Sequence, residues 1–115
     1  MADPHNPVDV ESKIEETKNH IAKGVDIVTA AENAAKAARR AFDEAYAYAY
    51  LNAKGSIPEK KYKATIATLK EREAAEVAEV AFADTERRAW ALNHELGAWQ
   101  SISKSVVAMY GAVRA

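Results

Sequence analysis

Ala53-Lys54-Gly55-Ser56-Ile57-Pro58-Glu59-Lys60 reads as a helix stop followed at once by a helix start. Glycine accepts the left-handed backbone that closes a helix, where any Cβ would clash. Ser56 and Glu59 stand at the S-x-x-E spacing of a capping box, in which each side chain satisfies the other residue's orphan N–H. Pro58 falls in the first turn of the new helix, where its missing donor costs nothing. A connection this short sends the flanking helices back along each other. The chain therefore reads as all-α: a long antiparallel, coiled-coil-like helical hairpin, with a helix over about 7–54, a turn at 55–56 and a helix over about 57–113.

Towards the N-terminus, residues 1–6 hold Pro4, Asn6 and little to bury, and are expected to be disordered. Residues 7–115 then form one helical-hairpin domain. Asn6-Pro7 suits an N-cap followed by an N1 proline, and Asp9 and Glu11 favour the positive end of a helix dipole. From there Ile14, Ile21, Val28, Ala35, Phe42 and Ala49 recur every seventh residue. Three places after the first five come Thr17, Gly24, Ala31, Ala38 and Ala45. This is a heptad whose second seam position is small, which lets another helix approach closely. A close contact is one reading of Gly24; a local bend is the other. The run Ala45-Tyr46-Ala47-Tyr48-Ala49-Tyr50-Leu51 alternates with period two, yet its alanines and the surrounding heptad favour helix. Its three tyrosines then fan around the helix, and at least one faces solvent or a partner.

Towards the C-terminus, Tyr62, Ile66 and Leu69 form one stripe, an alanine-rich middle follows, and Leu92, Leu96, Trp99, Ser103, Val106, Tyr110 and Val113 continue at three- and four-residue steps. Gly97 is the one candidate interruption in this second helix, and continuity is the preferred reading because the stripe continues in phase across it. Folding about residues 55 and 56 sets residue i roughly against 111 − i, which brings Val28 near Phe82 and Ile14 near Trp99. Two helices bury little, and a small single core rarely supplies enough stability. The surplus of apolar residues predicts self-association into a helical bundle. Phe82, Trp90, Leu96, Trp99 and Val106 are the candidate oligomer interface.

The 115 residues suit one domain, and 49% are hydrophobic, although much of that share is alanine. A formal net charge of −1 gives no global attraction to nucleic acid or anionic membrane. The absence of cysteine excludes disulfides and thiolate metal sites. No apolar run approaches the roughly 20 residues that span a bilayer, and the first residues lack the regions of a signal peptide. A soluble, cytoplasmic protein without a membrane role is expected. Charge is nevertheless uneven. Residues 1–32 carry three lysines against seven carboxylates, a net −4, and residues 46–72 carry six basic against two acidic side chains, a net +4. The hairpin tip is basic and the open end acidic. Tyr46, Tyr48, Tyr50, Lys54, Lys60, Lys61 and Lys63 are therefore the candidate contact residues for a partner or nucleic acid, since bases stack on aromatics while lysines hold phosphate.

Catalysis finds little support: there is no Gly-rich phosphate loop, nucleophile elbow or H-E-x-x-H. His20 and His94 fall within a turn of each other in the expected register, which is a polar face before it is a metal site. The row Glu73, Glu76, Glu79 lacks the Glu-x-x-His pairs of a di-iron bundle. No catalytic residue, cofactor, metal or small-molecule substrate is expected.

One resemblance attaches to residues 41–101. Ala45-Tyr46-Ala47, Ala49, Leu51, Ala53, Gly55-Ser56-Ile57, Lys60 to Lys63, Ala75-Glu76, Arg87-Arg88 and Gln100-Ser101 together resemble small all-helical proteins of tailed bacteriophages, often encoded near early replication and recombination genes. The resemblance implies a host-cell cytoplasmic setting and transfers no functional residues. Secreted helical hairpins with W-x-G in the turn are a poorer comparison, because this turn is Lys54-Gly55-Ser56. The first reading is thus a non-catalytic bacteriophage helical hairpin acting as a homo-oligomeric protein-interaction module towards a host or phage protein partner. The alternative is an accessory factor of phage recombination or replication that engages single-stranded nucleic acid through the basic tip.

Overall fold

The computed structural model of the chain describes residues 6–114, with side chains through residue 111. Among the described residues there are three α-helices and no strand: α1 over Pro7–Asn52, α2 over Ile57–Ala67 and α3 over Leu69–Arg114. The N-terminal residues expected to be disordered lie outside the described ones, except Asn6. That residue is the helix cap: its Oδ1 accepts from the Val8 N–H at 2.9 Å, and its carbonyl accepts from the Val10 N–H at 3.0 Å. Pro7 then opens α1, in the position where a missing donor is harmless.

α1 ends two residues earlier than the expected 54. The Ala53 N–H turns back to the Tyr50 carbonyl at 3.3 Å, and Gly55 takes φ +121°, a conformation that side-chain-bearing residues rarely adopt. Ser56 caps α2, its Oγ accepting from the Glu59 N–H at 3.4 Å. The reciprocal half of the expected capping box differs. Glu59 Oε1 accepts from the Ser56 hydroxyl at 3.2 Å, so the two side chains bond each other directly.

The long second helix of the sequence reading is interrupted, and at Thr68. Its backbone leaves the helical region (φ −117°, ψ 20°), and its N–H bonds the Thr65 carbonyl at 3.3 Å, three residues back. The Thr68 hydroxyl donates to the Ala64 carbonyl at 2.8 Å, and the Thr65 hydroxyl to the Lys61 carbonyl at 2.9 Å. Such hydroxyls compete with the backbone for its own acceptors and bend helices. Gly97 causes no break. It lies within α3, and a Cβ there would meet nothing within 4 Å.

The described residues fall into two compact units, one within Met1–Ile27 and Glu86–Ala115 and the other Val28–Thr85. In the first, Val10, Thr17 and Val106 are buried, with Ile14, Ile21, Leu92, Leu96 and Trp99 half-buried. The Thr17 hydroxyl donates to the Lys13 carbonyl at 2.8 Å, which satisfies it without a partner from elsewhere. Gly24 is half-buried, but a Cβ there would find open space within 4 Å, so the close contact considered for it is absent. In the second unit Ala35, Ala64, Thr68 and Ala75 are buried, with Val28, Ala38, Phe42, Ala45, Ala49, Ala78 and Phe82 half-buried around them. Every α1 position of the expected heptad is buried or half-buried, as a single seam requires.

The phase of α2 was misjudged. Tyr62, Ile66 and Leu69 are exposed, whereas Ala64 and Thr68 face inward. Close approach of helices selects small residues, so the larger apolar stripe is displaced to the outside. Inward positions then run 64, 68, 71, 75, 78, 82, 85, 89, 92, 96, 99, 103 and 106, at steps of three and four throughout. The register also differs from the expected one. Arg39 Nη1 lies 3.8 Å from Glu79 Oε1, and Ala35, in place of Val28, shares a groove with Phe82.

Candidate contact surface around the α1–α2 turn

Four residues apart on α1, Phe42, Tyr46 and Tyr50 meet along one helix face. Phe42 and Tyr46 pack edge to face with centroids 6.4 Å apart, and Tyr46 stacks on Tyr50 at 6.5 Å and 23°. The Arg39 guanidinium sits 5.4 Å from the Phe42 centroid, and Lys60 Nζ is 5.8 Å from that of Tyr50. The result is an aromatic ladder with a cation at each end. Each ring pair contributes roughly 0.5–1.5 kcal/mol and each cation about 0.5–1 kcal/mol at such sites. Tyr46 and Tyr50 are half-buried by this packing. Tyr48, two residues from each, is on the other side of the helix and exposed.

The lysines divide in the same way. Lys63 Nζ donates to the Lys54 carbonyl at 2.6 Å, closing the end of α1 from the following helix, and Lys60 is held over Tyr50. Two of the expected contact lysines thus have structural work at the turn. Lys54 and Lys61 present their side chains outward. Lys61 lines a shallow groove with Ile57, Pro58 and Tyr62. Tyr48, Lys54, Lys61 and Tyr62 are consequently the part of the basic, tyrosine-rich end open to a ligand.

The expected interface residues are scattered between the two units. Phe82 is half-buried in the second, in an open groove of about 410 Å³ with Glu32, Ala35, Lys36, Arg39 and Glu79. In the first, Val106 is buried within the chain, so it is packed already and not presented to a second copy. Leu96 and Trp99 are half-buried, with the Trp99 indole N–H directed at Glu95 Oε1 at 3.4 Å. Trp90 is exposed, its ring stacked on His94 with centroids 3.6 Å apart. Sequence reasoning missed a coherent surface elsewhere: Tyr62, Ile66, Leu69, Val77 and Val80 all face solvent on α2 and α3. The available signal was their spacing, two residues out of phase with Ala64, Thr68, Ala75, Ala78 and Phe82. In a helix that places them on the opposite face.

Among the described residues no group of three His, Asp or Glu side chains is arranged to hold a metal ion, and no helix is long and apolar enough to cross a membrane. Compared with known proteins, the chain matches no protein family, no curated protein and no solved structure.

Proposed function

We propose that this protein is a non-catalytic helical module that works by self-association, its chain folded as an antiparallel helical hairpin. The observation that carries the reading is an imbalance of apolar surface. Among the described residues the fully buried hydrophobic side chains are Val10, Ala35, Ala64, Ala75 and Val106, three of them alanine, while fifteen large hydrophobic residues are exposed. A core of that size supplies little of the stability a chain of this length needs. Exposed apolar faces on long helices are what a bundle of two copies covers. The Arg39–Glu79 approach and the grouping of the start of α1 with the end of α3 support the hairpin. Light scattering at micromolar concentration tests the reading: a dimer or larger assembly is expected, and a species of only 12.5 kDa contradicts it.

Tyr48, Tyr62, Lys54 and Lys61 favour a second reading, an accessory factor for single-stranded nucleic acid. Retention of a single-stranded DNA oligonucleotide that weakens with salt and is lost on charge reversal at Lys61 supports it; retention that ignores salt does not. No comparison links the chain to bacteriophage proteins, and both readings stand on the helix faces alone.

A further inference from the structure

We infer that the outer face of α2 and the first turns of α3 is a self-complementary interface, on which a second copy of this chain docks antiparallel. The inference rests on the self-association reading and names its surface, which differs from the tryptophan-bearing one expected from the sequence. Tyr62 (72% exposed), Ile66 (70%), Leu69 (53%), Val77 (63%) and Val80 (66%) recur at three- and four-residue steps, with Glu73 filling the one gap. At 100° per residue they form a single stripe, directly opposite the inward row of Ala64, Thr68, Ala75, Ala78 and Phe82. The stripe runs through the interruption at Thr68, since Ile66 and Leu69 on either side of it are both exposed.

Charge selects the occupant. Residues 57–70 carry Lys60, Lys61, Lys63 and Lys70 against Glu59, a net +3. Residues 71–80 carry Glu71, Glu73, Glu76 and Glu79 against Arg72, a net −3. A parallel second copy would set lysines on lysines and carboxylates on carboxylates. An antiparallel copy sets each basic half against an acidic half, twice over, as a two-fold interface requires. Several of these charges are turned inward or already engaged within the chain: Glu71 is on the inward row, Lys60 is held over Tyr50, Arg72 pairs with Glu76 at 3.1 Å, Glu79 with Arg39 at 3.8 Å, and Lys63 with the Lys54 carbonyl. Lys61, Lys70 and Glu73 make no ion pair with the described residues. A two-fold axis between Glu71 and Arg72 places Lys70 against Glu73 of the second copy, Ile66 against its Val77, and Tyr62 beside its Val80. The carboxylate in the middle of the apolar stripe thereby gains a partner that the described residues of its own chain do not provide.

The absence of cysteine makes the test direct. Ile66→Cys and Val77→Cys variants of the full chain are oxidised separately and as an equimolar mixture. The antiparallel interface predicts a disulfide-linked dimer that forms at least about tenfold faster in the mixture than in either variant alone. Fast crosslinking of Ile66→Cys alone means parallel pairing and overturns the inference. In sedimentation velocity, Glu73→Lys and Lys70→Glu each weaken association by about tenfold, since each removes two symmetric pairs, and the double variant recovers most of the loss. A wild-type dimer indifferent to these charge changes, with no faster crosslinking in the mixture, places the interface elsewhere and leaves the self-association reading standing. A wild-type chain that stays monomeric overturns both.

Discussion

Replacing Gly55 with alanine probes the turn at its most constrained atom. At φ +121° a side chain is strained whatever the space around it, and the new Cβ would run into the Glu59 carboxylate. Holding a residue in such a region costs about 1–3 kcal/mol. Pushing Glu59 aside also removes its bond to the Ser56 hydroxyl, worth roughly 0.5–1 kcal/mol. A total of about 1.5–4 kcal/mol lowers Tm by roughly 5–20 °C for a domain of this length. Circular dichroism melts at one fixed protein concentration measure it. Gly24→Ala and Gly97→Ala are the controls, because both lie inside helices and a Cβ at either meets nothing within 4 Å. Each should raise stability by about 0.5–1 kcal/mol through helix propensity. The same chemical change therefore acts with opposite sign at position 55 and at positions 24 and 97. If all three variants melt alike, the positive φ at Gly55 does not set the turn.

Three further substitutions test the packing and the exposed end. Ala75→Leu forces a larger side chain into a position 1% exposed and should cost about 1–3 kcal/mol by overpacking; an unchanged melt means the helices do not approach closely there. Glu71→Met removes a carboxylate oxygen that is shut away from solvent without a hydrogen-bond partner, and should stabilise by about 1–3 kcal/mol; a lowered Tm refutes the assignment of that oxygen as a burden. Tyr48→Ala combined with Lys54→Ser and Lys61→Ser should leave helicity intact and abolish any salt-dependent retention of single-stranded DNA; native retention by this variant removes the turn region as the nucleic-acid surface.

The all-helical class and the α1 seam were legible because seven-residue recurrence survives without knowledge of a partner. All eleven heptad positions from Ile14 to Ala49 turned out buried or half-buried. The alternating tyrosines likewise resolved as helix, with Tyr48 outward and Tyr46 stacked on Tyr50. α2 was misread because hydrophobicity ranks Tyr62, Ile66 and Leu69 above Ala64 and Thr68, whereas close helix packing ranks by size. The Thr68 interruption was hidden for a related reason. A lone threonine is common inside helices, as Thr17 in α1 shows, and at Thr68 the break coincides with two nearby hydroxyls bonding carbonyls four residues back. At the candidate contact surface, the sequence grouped lysines by proximity and could not foresee that Lys60 and Lys63 are engaged at the turn.

The central claim is that one chain is an incomplete core which a second copy completes. Its most direct measurement is the dependence of thermal unfolding on protein concentration, followed by circular dichroism over roughly a hundredfold range. Folding coupled to association predicts a Tm that rises by several degrees across that range, in step with a mass of at least twice 12.5 kDa at the upper end. A Tm that stays constant while the mass remains 12.5 kDa contradicts it, and means that the exposed stripe of α2 and α3 is compatible with a stable single chain.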